Sequence, residues 1–171
     1  MKYRQIATTF WEDGYTLELN DKEKVLFIYL FTNPKVNMVG IYELPDRLIC
    51  ATLGASLGDL KKMKAKLEKD KKFAFYNGWV FINNFPKYNR YSSAPPVIEA
   101  YLRDFNSIPQ KVLNYFLVKL KLPYVPSLMG KGNTVIIRVM VMVKKGRPYA
   151  RIQAKSIEPE KININEIPDF Q

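Results

Sequence analysis

Histidine is absent from the 171 residues, and cysteine occurs once, at Cys50. The first absence removes the commonest general base and the commonest neutral metal ligand. The second excludes an internal disulfide. Long apolar runs are missing too: the longest, Val25 to Phe31, has seven residues, against the roughly 20 that span a bilayer. The opening MKYRQIATTF has neither the apolar core nor the small-residue cleavage site of a secretion signal. A cytoplasmic chain with no membrane contact is expected.

Acidic side chains are scarce in one region only. Residues 1–60 carry 6 basic and 8 acidic groups, residues 61–171 carry 21 and 8, and between Phe105 and Ile157 there are ten Lys or Arg and no Asp or Glu. Solubility alone would mix both signs. A one-signed stretch of this length points to a polyanion, because cations that neutralise phosphates release condensed counterions.

Signs of catalysis are equally thin. Gly130 to Asn133, GKGN, lacks the spacing and the hydroxyl of a phosphate-binding loop, and Glu12 and Asp13 are adjacent and read as a cap. Cys50, beside Ile49, reads as a small core residue. Neither an enzyme nor a cofactor or metal is expected.

What the chain does contain is a run of helix signals. Asn20 with Glu23 three residues on forms a capping box and opens a helix over 21–32, apolar nearly all round and so expected in the middle of the fold. Asn33-Pro34 ends it. A strand is expected within NMVGIYEL, and Pro45 at a first helical position starts a helix that carries Leu48, Ile49 and Leu53 inward and closes at Gly54. Ser56 caps the next, expected over 57–72, with Leu60, Met63 and Leu67 on its buried side. Lys61, Lys62, Ala65, Lys69 and Lys72 fall on the opposite side, with Lys66 on the flank.

FAFYNGWVFI at 73–82 is a hairpin with Asn77-Gly78 in a type I′ turn. Phe73, Phe75, Val80 and Ile82 share the face expected against the helices, and Tyr76, Trp79 and Phe81 share a second face that is also expected to be covered. A strand, two helices joined by a short Gly-containing turn, and a hairpin make a winged helix-turn-helix within an α+β chain. In that arrangement Lys61, Lys62, Lys66, Lys69 and Lys72 line the recognition helix, Asn77 and Gly78 sit at the wing, and Lys87 and Arg90 follow it as phosphate contacts.

FWED at 10–13, TNPKVNMVGIYELP at 32–45, LGAS at 53–56 and NGWVFINNFPKY at 77–88 resemble the N-terminal domain of phage replisome organiser proteins, which are similar to DnaD-type primosome proteins. The resemblance covers about residues 4–91. It implies a winged-helix domain that binds origin DNA, self-associates, and helps bring a helicase or its loader to the origin; it carries over the basic helix and the wing, and no catalytic residue.

Beyond residue 91 the chain departs from that pattern. Trailing helices over 92–122 are expected, with Ile98, Tyr101, Leu102 and Phe105 on one stripe and Val112, Leu113, Phe116, Leu117 and Leu120 on the next; such helices often build a homo-oligomer. PYVPSLMGKGN reads as a linker. A second hairpin over 134–157, turning at Lys145-Gly146, puts valines and isoleucines on one face and Arg138, Tyr149, Arg151 and Lys155 on the other, with Lys144, Lys145 and Arg147 around the turn. That face suits a phosphate backbone, double- or single-stranded, or simply a solvated side of a docked strand pair. Residues 123–171 thus form a basic hairpin module with a tail. Competing readings are a transcriptional regulator on the same scaffold and an adaptor whose basic surface meets an acidic protein.

Overall fold

The computed structural model describes residues 4–89, 91–92, 94–120, 127–129, 134–144 and 147–157; residues 86, 87, 92, 118, 119 and those past 120 are described by backbone alone. The chain is α+β and divides into two compact units, Met1–Asn83 and Asn84–Gln171.

In the first unit a 3-10 turn, Thr8–Trp11, leads to a short helix α1, Gly14–Leu17, whose N-cap Asp13 accepts from the Tyr15 and Thr16 amides. Helix α2, Asp21–Thr32, begins with the expected capping box: Asn20 accepts from the Glu23 amide and Glu23 accepts from the Asn20 amide. Leu26 and Leu30 are fully buried, yet Val25 is 53% exposed. The helix therefore keeps a solvent side that its nearly uniform apolar pattern does not mark.

Strand β1, Ile41–Glu43, is shorter than expected. The Asn37 side chain accepts from the Val39 and Gly40 amides, and Gly40 has φ +76, so the preceding residues form a turn. Pro45 is the N-cap of α3, Asp46–Leu53, so the helix starts one residue later than expected, and the Pro45 carbonyl accepts from the Leu48 and Ile49 amides. Only Ile49 of that helix is buried; Leu48 is 41% exposed and Leu53 half-buried. Gly54 closes α3 at φ +63, and after one residue Ser56 caps α4, Leu57–Lys69. This helix ends three residues short of its expected limit, since Lys71 turns left-handed at φ +53.

Strands β2, Phe73–Tyr76, and β3, Trp79–Ile82, pair antiparallel with Tyr76 opposite Trp79, and β3 also pairs with β1, giving the order β1-β3-β2. Asn77 and Gly78 both have positive φ, +45 and +75, as a type I′ turn requires. Phe73 lies 5.3 Å from both Phe27 and Phe31 of α2, centroid to centroid, and β2 packs along α4. On the second face Ala74, Phe81 and Ile41 are buried and Tyr76 and Trp79 half-buried.

A buried polar clasp ties the end of α2 to the sheet. The Tyr42 hydroxyl donates to the Leu30 carbonyl at 2.6 Å, and the Asn33 amide donates to Tyr42 at 3.1 Å and to the Tyr29 carbonyl at 2.9 Å.

The second unit contains α5, Phe85–Tyr88; β4, Tyr91–Ser92; α6, Pro95–Asn106; and α7, Gln110–Leu113, continued by a π-helical stretch, Asn114–Lys119. Pro95 and Pro96 open α6 from within its first turn, where their missing N–H groups cost nothing. Val112, Leu113, Phe116 and Leu117 are buried as expected, but Leu120 is 39% exposed. Its amide bonds Tyr115 five residues back, and that wider turn shifts the phase of the stripe.

Part of the expected linker is strand. Ser127–Met129, β5, pairs parallel with β4 and antiparallel with β6, Thr134–Lys144, which pairs with β7, Arg147–Ile157. Three residues flanked by Pro126 and Gly130 show no period of their own, so neighbouring strands on both sides define this one. Lys145, Gly146 and the acidic tail lie outside the described residues.

Candidate nucleic-acid interface

Helix α4 owes its two sides to its spacing. Leu60, Met63 and Leu67 are buried, and at about 100° per residue Gly58, Lys61, Lys62, Ala65 and Lys69 share the opposite sector, all exposed. Lys61, Lys62 and Lys69 make no ion pair among the described residues. Gly58 belongs to this stripe although only the lysines and Ala65 marked it in the sequence; its position three before Lys61 and four before Lys62 was the available signal. A Cβ at Gly58 would meet only the Ser56 hydroxyl, at 3.8 Å. Small residues at 58 and 65 thus leave the helix backbone open to close approach between the cationic side chains.

Three other lysines of this region, Lys64, Lys66 and Lys72, are held by the fold. Lys66 Nζ donates to Glu23 Oε2 at 2.7 Å, linking α4 to the first turn of α2. Burial of Glu23 by itself raises its pKa, but the Lys66 hydrogen bond and charge together with the Asn20 amide bring it below the ordinary carboxylate value. Lys72, beyond the end of α4, places its ammonium 4.2 Å from the Tyr15 ring centroid, and the Tyr15 hydroxyl donates to Asp70 at 2.8 Å. Desolvation and that acceptor push the Tyr15 pKa well up, so it remains a donor.

Lys64, which the helical spacing does not single out, is the inward anchor. Its ammonium donates to Asp46 of α3 at 2.8 Å and sits 4.3 Å from the Phe75 ring centroid. Glu68 accepts from the Phe75 amide at 2.9 Å. These contacts fix α3 and the hairpin against α4, so the exposed stripe is presented on a braced helix.

The hairpin tip is short and attached. The Leu44 amide donates to the Gly78 carbonyl at 2.7 Å, and a Cβ at Gly78 would lie 3.8 Å from Pro45 Cα. Asn77 is exposed and Gly78 half-buried, which leaves Asn77 as the accessible residue of the turn. The side chain of Lys87, in α5, and Arg90 lie outside the described residues.

In the second unit the register, not side-chain geometry, places the predicted residues. Lys144 is opposite Arg147, Tyr149 opposite Met142, Arg151 opposite Met140, and Lys155 opposite Ile136, with Arg138 opposite Gln153; all share one face of the β6–β7 ladder. Lys145 is not described.

Among the described residues no group of three or more His, Cys, Asp or Glu could hold a metal, and no helix is long and apolar enough to cross a membrane. No family model matches the sequence, and neither a curated protein nor a solved structure matches it.

Proposed function

We propose that this chain is a non-enzymatic DNA-binding protein whose first unit is a winged helix-turn-helix and whose helix α4 enters the major groove. The observation that carries the reading is the sorting of lysines around α4: Lys64 and, on the flank, Lys66 are held in ion pairs, while Lys61, Lys62 and Lys69 stay exposed around Gly58 and Ala65. An ordinary solvated helix face has no need of small residues between its cations. The three-strand sheet, the Gly54 turn between α3 and α4 and the hairpin supply the matching frame. Lysines chiefly contact phosphate, so they contribute affinity more than sequence choice.

The resemblance to phage replisome organisers adds the finer role, origin binding in replication initiation with self-association and delivery of a helicase or its loader. Binding of labelled duplex DNA, followed by fluorescence anisotropy, tests the core of the reading. The double variant Lys61→Glu/Lys62→Glu is expected to lose at least about tenfold in affinity, because each like charge opposes a phosphate. Unchanged affinity would overturn the α4 assignment.

A further inference from the structure

The four-strand sheet of the second unit separates two kinds of surface by register alone. Along β6–β7 the rungs Val143–Pro148, Val141–Ala150, Val139–Ile152, Ile137–Ala154 and Val135–Ser156 contain no charged residue. Leu128 of β5 and Tyr91 of β4 continue that face across the sheet. The alternate rungs hold every cation of the two strands: Lys144–Arg147, then Arg151, Arg138 and Lys155, interrupted once by Met142–Tyr149. Helix α7 and the π-helical stretch pack beside β7, and an uncharged face is the one that a helical layer stabilises by covering it.

We infer that the cationic face of this ladder is a binding track for single-stranded DNA, separate from α4. Same-face rungs of an antiparallel pair recur about every 6.8 Å, a step comparable with that between phosphates of a stretched single strand. The cations run from the Lys144–Arg147 rung to the Ile136–Lys155 rung, so the row extends about 27 Å. Each phosphate strand of a duplex winds around the helix axis and leaves a row of this length, whereas a single strand can follow it. The Met142–Tyr149 rung and Met140 place thioether and aromatic residue types at register positions of the same face, and residues of those types suit unpaired bases. Paired bases would leave those positions unused. With no acidic residue between 105 and 157, nothing on either strand repels the backbone.

The inference rests on the nucleic-acid reading for its class of partner and on different residues for its site. Anisotropy with the full chain and a labelled oligo-dT decides it. The triple variant Arg138→Ala/Arg151→Ala/Lys155→Ala should bind oligo-dT at least about tenfold more weakly, with a salt slope flatter by about two, at roughly 0.7 per lost phosphate contact. Its duplex affinity should be unchanged, while Lys61→Glu/Lys62→Glu should show the reverse pattern. Arg138→Lys/Arg151→Lys, which keeps the charges, should retain oligo-dT binding, and ultraviolet cross-linking of the unmodified protein should map to β6–β7. Wild-type oligo-dT affinity in the triple variant, cross-links confined to the first unit, or poly-glutamate binding as tight as oligo-dT would each overturn the inference. If duplex binding through Lys61 and Lys62 survives those results, the α4 reading stands without it.

Discussion

At the scale of single residues the fold spends its polar groups inside the first unit on joining elements. Tyr42 is 2% exposed, and its hydroxyl is the hydrogen-bond partner of both the Leu30 carbonyl and Asn33. Tyr42→Phe keeps the ring packing and leaves the Leu30 carbonyl without this donor in a buried site, at a cost of about 1–2 kcal/mol. Urea unfolding should show a lower midpoint with an unchanged slope. Glu23 gives a prediction with a definite pH sign. Its folded pKa lies below the ordinary value of 4.5, so the Lys66 pair contributes fully above that value and is lost as pH falls through the depressed one. Glu23→Gln preserves the capping geometry and should flatten the acid limb of a stability-versus-pH curve, leaving stability near-independent of this group. An identical acid limb in wild type and variant would refute the assignment.

At the scale of elements the turn between α3 and α4 sets how the candidate recognition helix is presented. Gly54 sits at φ +63 and the Ser56 hydroxyl accepts from the Asp59 amide at 3.0 Å. Gly54→Ala should cost about 1–2 kcal/mol through the left-handed backbone, and Ser56→Ala about 1 kcal/mol through the lost cap; thermal melts of the two variants check both. These signals were readable because caps and left-handed glycines act over three or four residues. Strand β5 was not readable, since it has only three residues and its parallel partner Tyr91–Ser92 lies 37 residues back along the chain. The exposed position of Leu48 and the inward position of Lys64 were hidden for a related reason. A helix of eight residues with one buried side chain carries too little pattern to choose its face, and the long stem of a lysine can cross a helix edge to reach an acid and a ring.

At the scale of the whole molecule, charge is unevenly divided. Met1–Asn83 has 13 basic and 10 acidic residues, net +3, and Asn84–Gln171 has 14 and 6, net +8. Three of the first unit's lysines are engaged within the fold, Lys64 and Lys66 in ion pairs and Lys72 over the Tyr15 ring, so its contribution to binding is smaller than its lysine count suggests. Duplex affinity should fall linearly on a log–log plot against salt, and removing Lys61 or Lys62 should reduce the slope by about 0.9 each. Lys64→Met and Lys66→Met should lower stability and leave that slope unchanged. A slope that responds equally to all four lysines would show that the inward pairs open in the complex.

The sequence by itself determined the helix starts at Asn20 and Ser56, the turn at Asn77-Gly78, the buried side of α4 and the one-signed charge between Phe105 and Ile157, because each is written in a short spacing or a simple count. Only the tertiary structure decided which lysines remain available. That choice depends on Glu23, Asp46, Tyr15 and Phe75, which are 43, 18, 57 and 11 residues away from Lys66, Lys64, Lys72 and Lys64 respectively. Ion pairs and ring contacts act over a few ångströms in space, and no local pattern along the chain records which partners folding brings within that reach.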